Sequence, residues 1–179
     1  MVRTEELRRV TEEGSSSEDN ALKLPDIGAS STTAIQQLEQ LLEHEFYAAA
    51  AHARLICDAY WSNMQDELAS GAEDATLQTR VRVIEGTLQA VWMRATGPAR
   101  SGPSKGRYYA KQLPKGTASN NPNYSKATFT RCPAWEKELA EYVEGHYAKQ
   151  RERAMLLTQM RRLMRRYKKV VDQSYEDYK

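Results

Sequence analysis

The sequence predicts a mainly α fold, an antiparallel αα-hairpin plus a long C-terminal helix, joined by a long, basic, extended arm. Three observations lead there. Apolar residues recur at three-and-four spacing over residues 33–69 and 134–177, the period of an α-helix. Five of the six prolines crowd into residues 97–133. Charge is segregated along the chain although the net charge is only +2.

Residues 1–32 are predicted to be a polar N-terminal tail. They hold the run Gly14-Ser15-Ser16-Ser17-Glu18-Asp19-Asn20 and few large apolar side chains, too little to offset ordering entropy. The first helix is predicted over 33–69. Its stripe is Ile35, Leu38, Leu42, Phe46, Ala49, Ala53, Ile56, Tyr60 and Met64, with Thr32 or Thr33 as N-cap and Gly71 as terminator. A second helix is predicted over 74–95, with Leu77, Val81, Ile84, Leu88 and Val91 as its stripe and Glu73 and Asp74 at its positive end. The short connection makes residues 33–96 an antiparallel pair.

Residues 97–133 carry Pro98, Pro103, Pro114, Pro122 and Pro133 with four interspersed glycines, which excludes a continuous helix. A loop of this length inside a compact domain is usually functional or a linker. The last element, within residues 134–179, is a third helix carrying Leu139, Val143, Tyr147, Leu156, Met160, Leu163, Tyr167 and Val170 along one side, with Gly145 as its weak point. At about 1.5 Å per residue it extends roughly 65 Å, far beyond the second helix.

The arm is the most informative segment. It has seven basic residues (Arg100, Lys105, Arg107, Lys111, Lys115, Lys126 and Arg131) and no acidic one, with Tyr108, Tyr109, Tyr124 and Phe129 among them. Residues 33–96 carry four basic and nine acidic side chains. A cationic segment with aromatics suits a polyanion, since cations displace counterions from phosphates and rings stack on bases. It equally suits an acidic protein surface. The structural competitor is a solvated linker folded back onto its own acidic hairpin. A second basic cluster, Arg161, Arg162, Arg165, Arg166, Lys168 and Lys169, lies on helical periodicity; its competitor is an ordinary basic helix end complementing the dipole.

Chemistry motifs are lacking. His44 and His52 are eight residues apart and neither is preceded by Glu at the spacing of a di-metal bundle. There is no H-E-x-x-H, P-loop, G-x-G-x-x-G or G-x-S-x-G pattern. Cys57 and Cys132 form neither a disulfide framework nor a metal motif. No catalytic residue, metal site or cofactor is therefore expected. Trp61, Trp92 and Trp135 are expected on helices as core residues, Trp135 stapling the start of the third helix. The N-terminus has no apolar signal region, and no apolar run is long enough to span a bilayer. The expected compartment is intracellular, cytoplasmic or cytoskeletal before nuclear, with mitochondria less favoured.

These features predict a non-catalytic structural or adaptor subunit of a large assembly. Its partners would be other protein subunits with an acidic surface, such as a microtubule or axoneme lattice, and no membrane. The alternative is a subunit that binds RNA or DNA through residues 97–133 and 161–169.

Overall fold

A computed structural model describes residues 24–98, 108–116 and 121–176. Two long helices, α1 (Leu24–Ala69) and α2 (Ala134–Glu176), bracket a three-stranded antiparallel sheet, β1 (Leu77–Ile84), β2 (Thr87–Pro98) and β3 (Tyr108–Gln112), in the order β1-β2-β3. A 3-10 turn over Lys126–Phe129 precedes α2. The chain divides into two compact units. The larger is Leu41–Leu163; the smaller joins the chain up to Gln40 with the chain from Met164.

The sheet overturns the expected αα-hairpin. Residues 74–95 are a β-hairpin, and the reason is local. Thr79, Val81, Val83 and Thr87 are β-branched, and Arg80 and Arg82 alternate with apolar neighbours, a period of two. Leu77, Thr79 and Val81 turn inward on β1, and Leu88, Ala90 and Trp92 on β2. Register pairs Thr79 with Trp92, Val81 with Ala90 and Val83 with Leu88, so these residues share one face. Glu85 and Gly86 form the two-residue connection, with φ of 49° and 70°. Both lie in the left-handed region, as a type I′ turn requires, and that turn matches the twist of paired strands. The spacing of Leu77, Val81, Ile84, Leu88 and Val91 fits a helical stripe by coincidence, and the turn chemistry decides against it.

The extended arm is likewise corrected. Tyr108–Gln112 pairs with β2, Met93 opposite Gln112 and Ala95 opposite Ala110, with a bulge between Ala95 and Pro98. Pro98, at the far end of this irregularity, lacks the N–H that a regular ladder would use. Bracing continues beyond the strand, because Leu113 N–H donates to the Trp92 carbonyl at 2.8 Å.

Helix α1 starts at Leu24 rather than at residue 33, with Pro25 in the first turn, where a missing N–H is tolerated. The predicted tail is thus helical from Leu24, and its remainder lies outside the described residues. At the other end, Ala72 N–H donates to the Glu67 carbonyl and Gly71 N–H to that of Leu68, both at 3.1 Å, with Gly71 at φ 91°. This double bond pattern is a Schellman cap, which needs the left-handed residue that glycine supplies.

Within the larger unit, α1 buries Leu42, Phe46, Ala49, Ala53, Cys57, Tyr60 and Met64. Trp92, expected on a helix, lies on β2 and is the hub of the core. Tyr60 (5.1 Å), Phe129 (5.3 Å) and Tyr147 (5.9 Å) meet it edge-on. Such edge-to-face pairs each contribute about 0.5–1.5 kcal/mol beyond buried area. The predicted α2 stripe holds only in part. Val143 and Tyr147 are buried, but Leu156, Met160, Leu163, Tyr167 and Val170 are exposed. Among the described residues, no helix is long and apolar enough to cross a membrane.

Candidate functional site: a polar clamp and a basic helix end

Three charged side chains lie buried on α2: Glu136, Glu144 and Arg151. All are at helical positions beside the apolar stripe, so packing α2 on the sheet takes them out of water. Each is fully engaged. Glu136 accepts from Thr76 N–H (2.9 Å), Thr76 Oγ1 (3.0 Å), Leu77 N–H (2.6 Å) and the Tyr60 hydroxyl (3.4 Å). One carboxylate thereby satisfies the start of β1 and ties it to both helices.

Glu144 and Arg151 form a second clamp. Arg151 Nη1 and Nη2 donate to the two Glu144 oxygens, both at 2.8 Å. Glu144 also accepts from the Trp92 indole N–H (2.9 Å) and from Tyr124 N–H (2.7 Å). Arg151 Nε donates to the Ala90 carbonyl at 2.9 Å, and Nη1 to that of Pro122. Its guanidinium lies 5.2 Å from the Tyr124 ring centre and 5.6 Å from that of Tyr147. A buried bidentate pair with its remaining lone pairs and protons satisfied is the arrangement that repays desolvation.

The surroundings show how dry this region is. Burial pushes the Tyr60 phenol well above its ordinary value, with the negative Glu136 acting in the same direction. Burial raises Tyr147 too, and raises Tyr124 to a lesser degree. Cys132 is raised by burial and then by Glu136. On the surface, Arg153 beside Glu45 holds that carboxyl below its ordinary value.

The residues singled out for partner binding are dispersed. Arg100, Lys105 and Arg107 lie outside the described residues. Tyr108, Tyr109 and Lys111 belong to β3, with Tyr109 and Lys111 exposed. Tyr124 is a core residue, 5% exposed, and unavailable to a partner. Lys126 and Arg131 are exposed beside the 3-10 turn, and the Arg131 carbonyl accepts from Arg94 at 2.5 Å. Lys115 is half-buried, facing α2. In the larger unit, Arg161 lies over the Phe46 ring at 4.6 Å, so it is a packing residue, while Arg162 is exposed. In the smaller unit, Arg165, Arg166 and Lys169 are exposed and Lys168 half-exposed.

The sequence alone does not single out Glu136, Glu144 and Arg151, because the acid-first, base-last order of α2 reads as a solvated face. The available signal is their spacing: Glu136, Val143 and Glu144 with Tyr147 and Arg151 fall on one side of the helix. Trp135 does brace the helix start, donating to the Glu73 carbonyl at 3.2 Å. No group of three His, Cys, Asp or Glu side chains suited to a metal occurs among the described residues.

Over the described residues, fold and site together define an α+β arrangement: two long helices, a three-stranded sheet, and a polar clamp locking helix to sheet. Residues 49–165, well over half of the chain, match the family described as MobI protein, and the chain belongs to that family. No curated protein and no solved structure matches it.

Proposed function

We propose that the protein is a non-enzymatic subunit of a mobilisation complex that holds nucleic acid by its phosphate backbone through the cations at the end of α2. The observation that carries this reading lies within the smaller unit. Arg165, Arg166 and Lys169 are solvent-exposed there, Lys168 is half-exposed, and among the described residues none of the four is in an ion pair. Arg165 and Lys169, one turn apart, lie about 6 Å apart along the axis. Exposed Tyr167 between them offers a ring for stacking. Membership of a family of mobilisation proteins favours nucleic acid over the acidic protein lattice as the polyanion. An intracellular setting goes with this ligand and with the two free cysteines.

The test is fluorescence anisotropy of the full chain with labelled single- and double-stranded oligonucleotides across a salt series. The parent is expected to bind with a steep salt dependence. Changing Arg165, Arg166, Lys168 and Lys169 to Gln should lower that slope by roughly one for each phosphate that is no longer neutralised. Absence of binding by the parent, or an unchanged slope in the variant, overturns the reading.

A second reading has its own support. Leu156, Met160 and Leu163 are exposed on α2 in the larger unit, where apolar side chains favour a protein surface. On that reading the protein is an adaptor docking on another subunit, and binding survives nuclease treatment.

A further inference from the structure

We propose that the larger unit carries a phosphate-binding site in the cleft lined by the turn end of the β-hairpin, by Lys115 and Asn121, and by α2. The site is separate from the end of α2 invoked above and stands or falls independently of it.

The cleft has a volume of about 310 Å³, and its lining among the described residues contains Lys115, Arg151 and Arg162 but no carboxylate. Its polar lining is otherwise neutral, with the Asn121 and Gln159 amides among the groups able to donate, while the Thr158 hydroxyl is spent on the Ala154 carbonyl at 2.8 Å. A second cleft of about 350 Å³ shares Thr87, Leu88, Lys115 and Arg151 with it and adds Arg82. Among the described residues its lining also lacks an acidic side chain.

The cations in this region have distinct roles. Arg151 is saturated by Glu144 and two carbonyls, so it holds the wall in place. Arg82 spends its Nε on Gln89 Oε1 at 2.8 Å, and no carboxylate pairs with its Nη groups among the described residues. Lys115 and Arg162 likewise have no ion-pair partner among the described residues. Asn121 accepts from Asn123 N–H through Oδ1 at 2.9 Å, which leaves its amide nitrogen as a donor.

Lys115 is the informative member. Burial lowers its ammonium below the ordinary lysine value, the positive Arg151 lowers it further, and Glu144 only partly opposes them. Glu144 is committed to Arg151, so among the described residues half-buried Lys115 has no ion-pair partner of its own, and a dianionic phosphate would supply one. Lys115 and Arg162 on an open cleft of mixed polar and apolar lining, with Arg151 fixing its wall, supply cationic donors suited to phosphate oxygens. The phosphate could belong to a small phosphorylated compound or to the end of a nucleic-acid strand; the chemistry of recognition is shared.

The experiment is calorimetric titration of the full chain at constant ionic strength, with chloride as the control anion. The probes are inorganic phosphate, a nucleoside 5′-monophosphate, and a short oligonucleotide with either a 5′-phosphate or a 5′-hydroxyl. Saturable 1:1 binding of phosphate or a phosphorylated probe is expected, with roughly tenfold weakening in Lys115→Gln and again in Arg162→Gln. Lys115→Arg should retain most of the affinity. A clear preference for the 5′-phosphorylated strand over its hydroxyl form supports the site and assigns it to a strand end; comparable binding of the mononucleotide supports it and assigns it to a small compound. No saturable binding of any phosphorylated probe, or parent-like affinity in the Lys115→Gln/Arg162→Gln double variant, overturns it. The variant at the end of α2 serves as the comparison, since it should lose duplex binding and keep phosphate binding.

Discussion

Arg151 meets Glu144 end to end, two N–H donors against two oxygens at 2.8 Å, seven residues apart on the same face of α2. Between them the two side chains bind the Trp92 indole, the Ala90 and Pro122 carbonyls and the Tyr124 N–H. Helix, central strand and the segment leading to the 3-10 turn are therefore held by one buried pair.

Removing either partner should be costly. Arg151→Met strands a buried carboxylate and Glu144→Gln a buried guanidinium, and each is expected to lower stability by about 3–5 kcal/mol. The double variant should cost less than the sum, because neither charge is then left alone. Urea denaturation followed by Trp fluorescence measures all three.

Glu136 presents a parallel case with a different signature. Glu136→Gln replaces an acceptor-only group by one with a single carbonyl, leaving donors among Thr76, Leu77 and Tyr60 unmatched. A loss of roughly 2–3 kcal/mol is expected. Amide exchange should quicken first at Thr76 and Leu77, the start of β1.

At the hairpin turn the two positions behave oppositely. Glu85 sits at φ 49°, where a side chain with a Cβ is strained, while Gly86 at φ 70° is relaxed. Glu85→Asn should stabilise by about 0.5 kcal/mol, since Asn suits the first position of this turn. Gly86→Ala should destabilise by about 1 kcal/mol. Thermal melts separate the two by sign.

Alkaline pH should unfold the protein through its buried phenols. Tyr60 and Tyr147 keep their protons in the fold well above the ordinary value of 10.0. Above that value the unfolded chain releases protons that the folded chain retains, so stability falls as pH rises. Melting temperature should drop from about pH 10 upward. Tyr147→Phe, which lacks the ionisable group, should flatten that decline despite losing its bond to Thr79.

How much of this was legible depends on whether a feature is local. The α1 stripe from Leu42 to Met64 and the Gly71 stop follow from residues within a turn of one another, and both are readable from spacing. Glu85-Gly86 and the run from Thr79 to Val83 were equally local, yet a stripe at three-and-four spacing ran through the same residues. Periodicity alone does not separate the two when apolar positions satisfy both.

What the sequence by itself determined is the helical periodicity of the two long segments, the breaks between them, and the cationic character of residues 97–133 and 161–169. Only the tertiary structure decided which charges stay in water. Arg161 packs on Phe46, Tyr124 enters the core, and Glu144 and Arg151 neutralise each other beside Trp92, whereas Arg165, Arg166 and Lys169 remain exposed. The reason is physical: a charge is tolerated in the interior when partners distant in sequence arrive with matching geometry, and those partners here come from β2, the Pro122–Tyr124 segment and α2 itself.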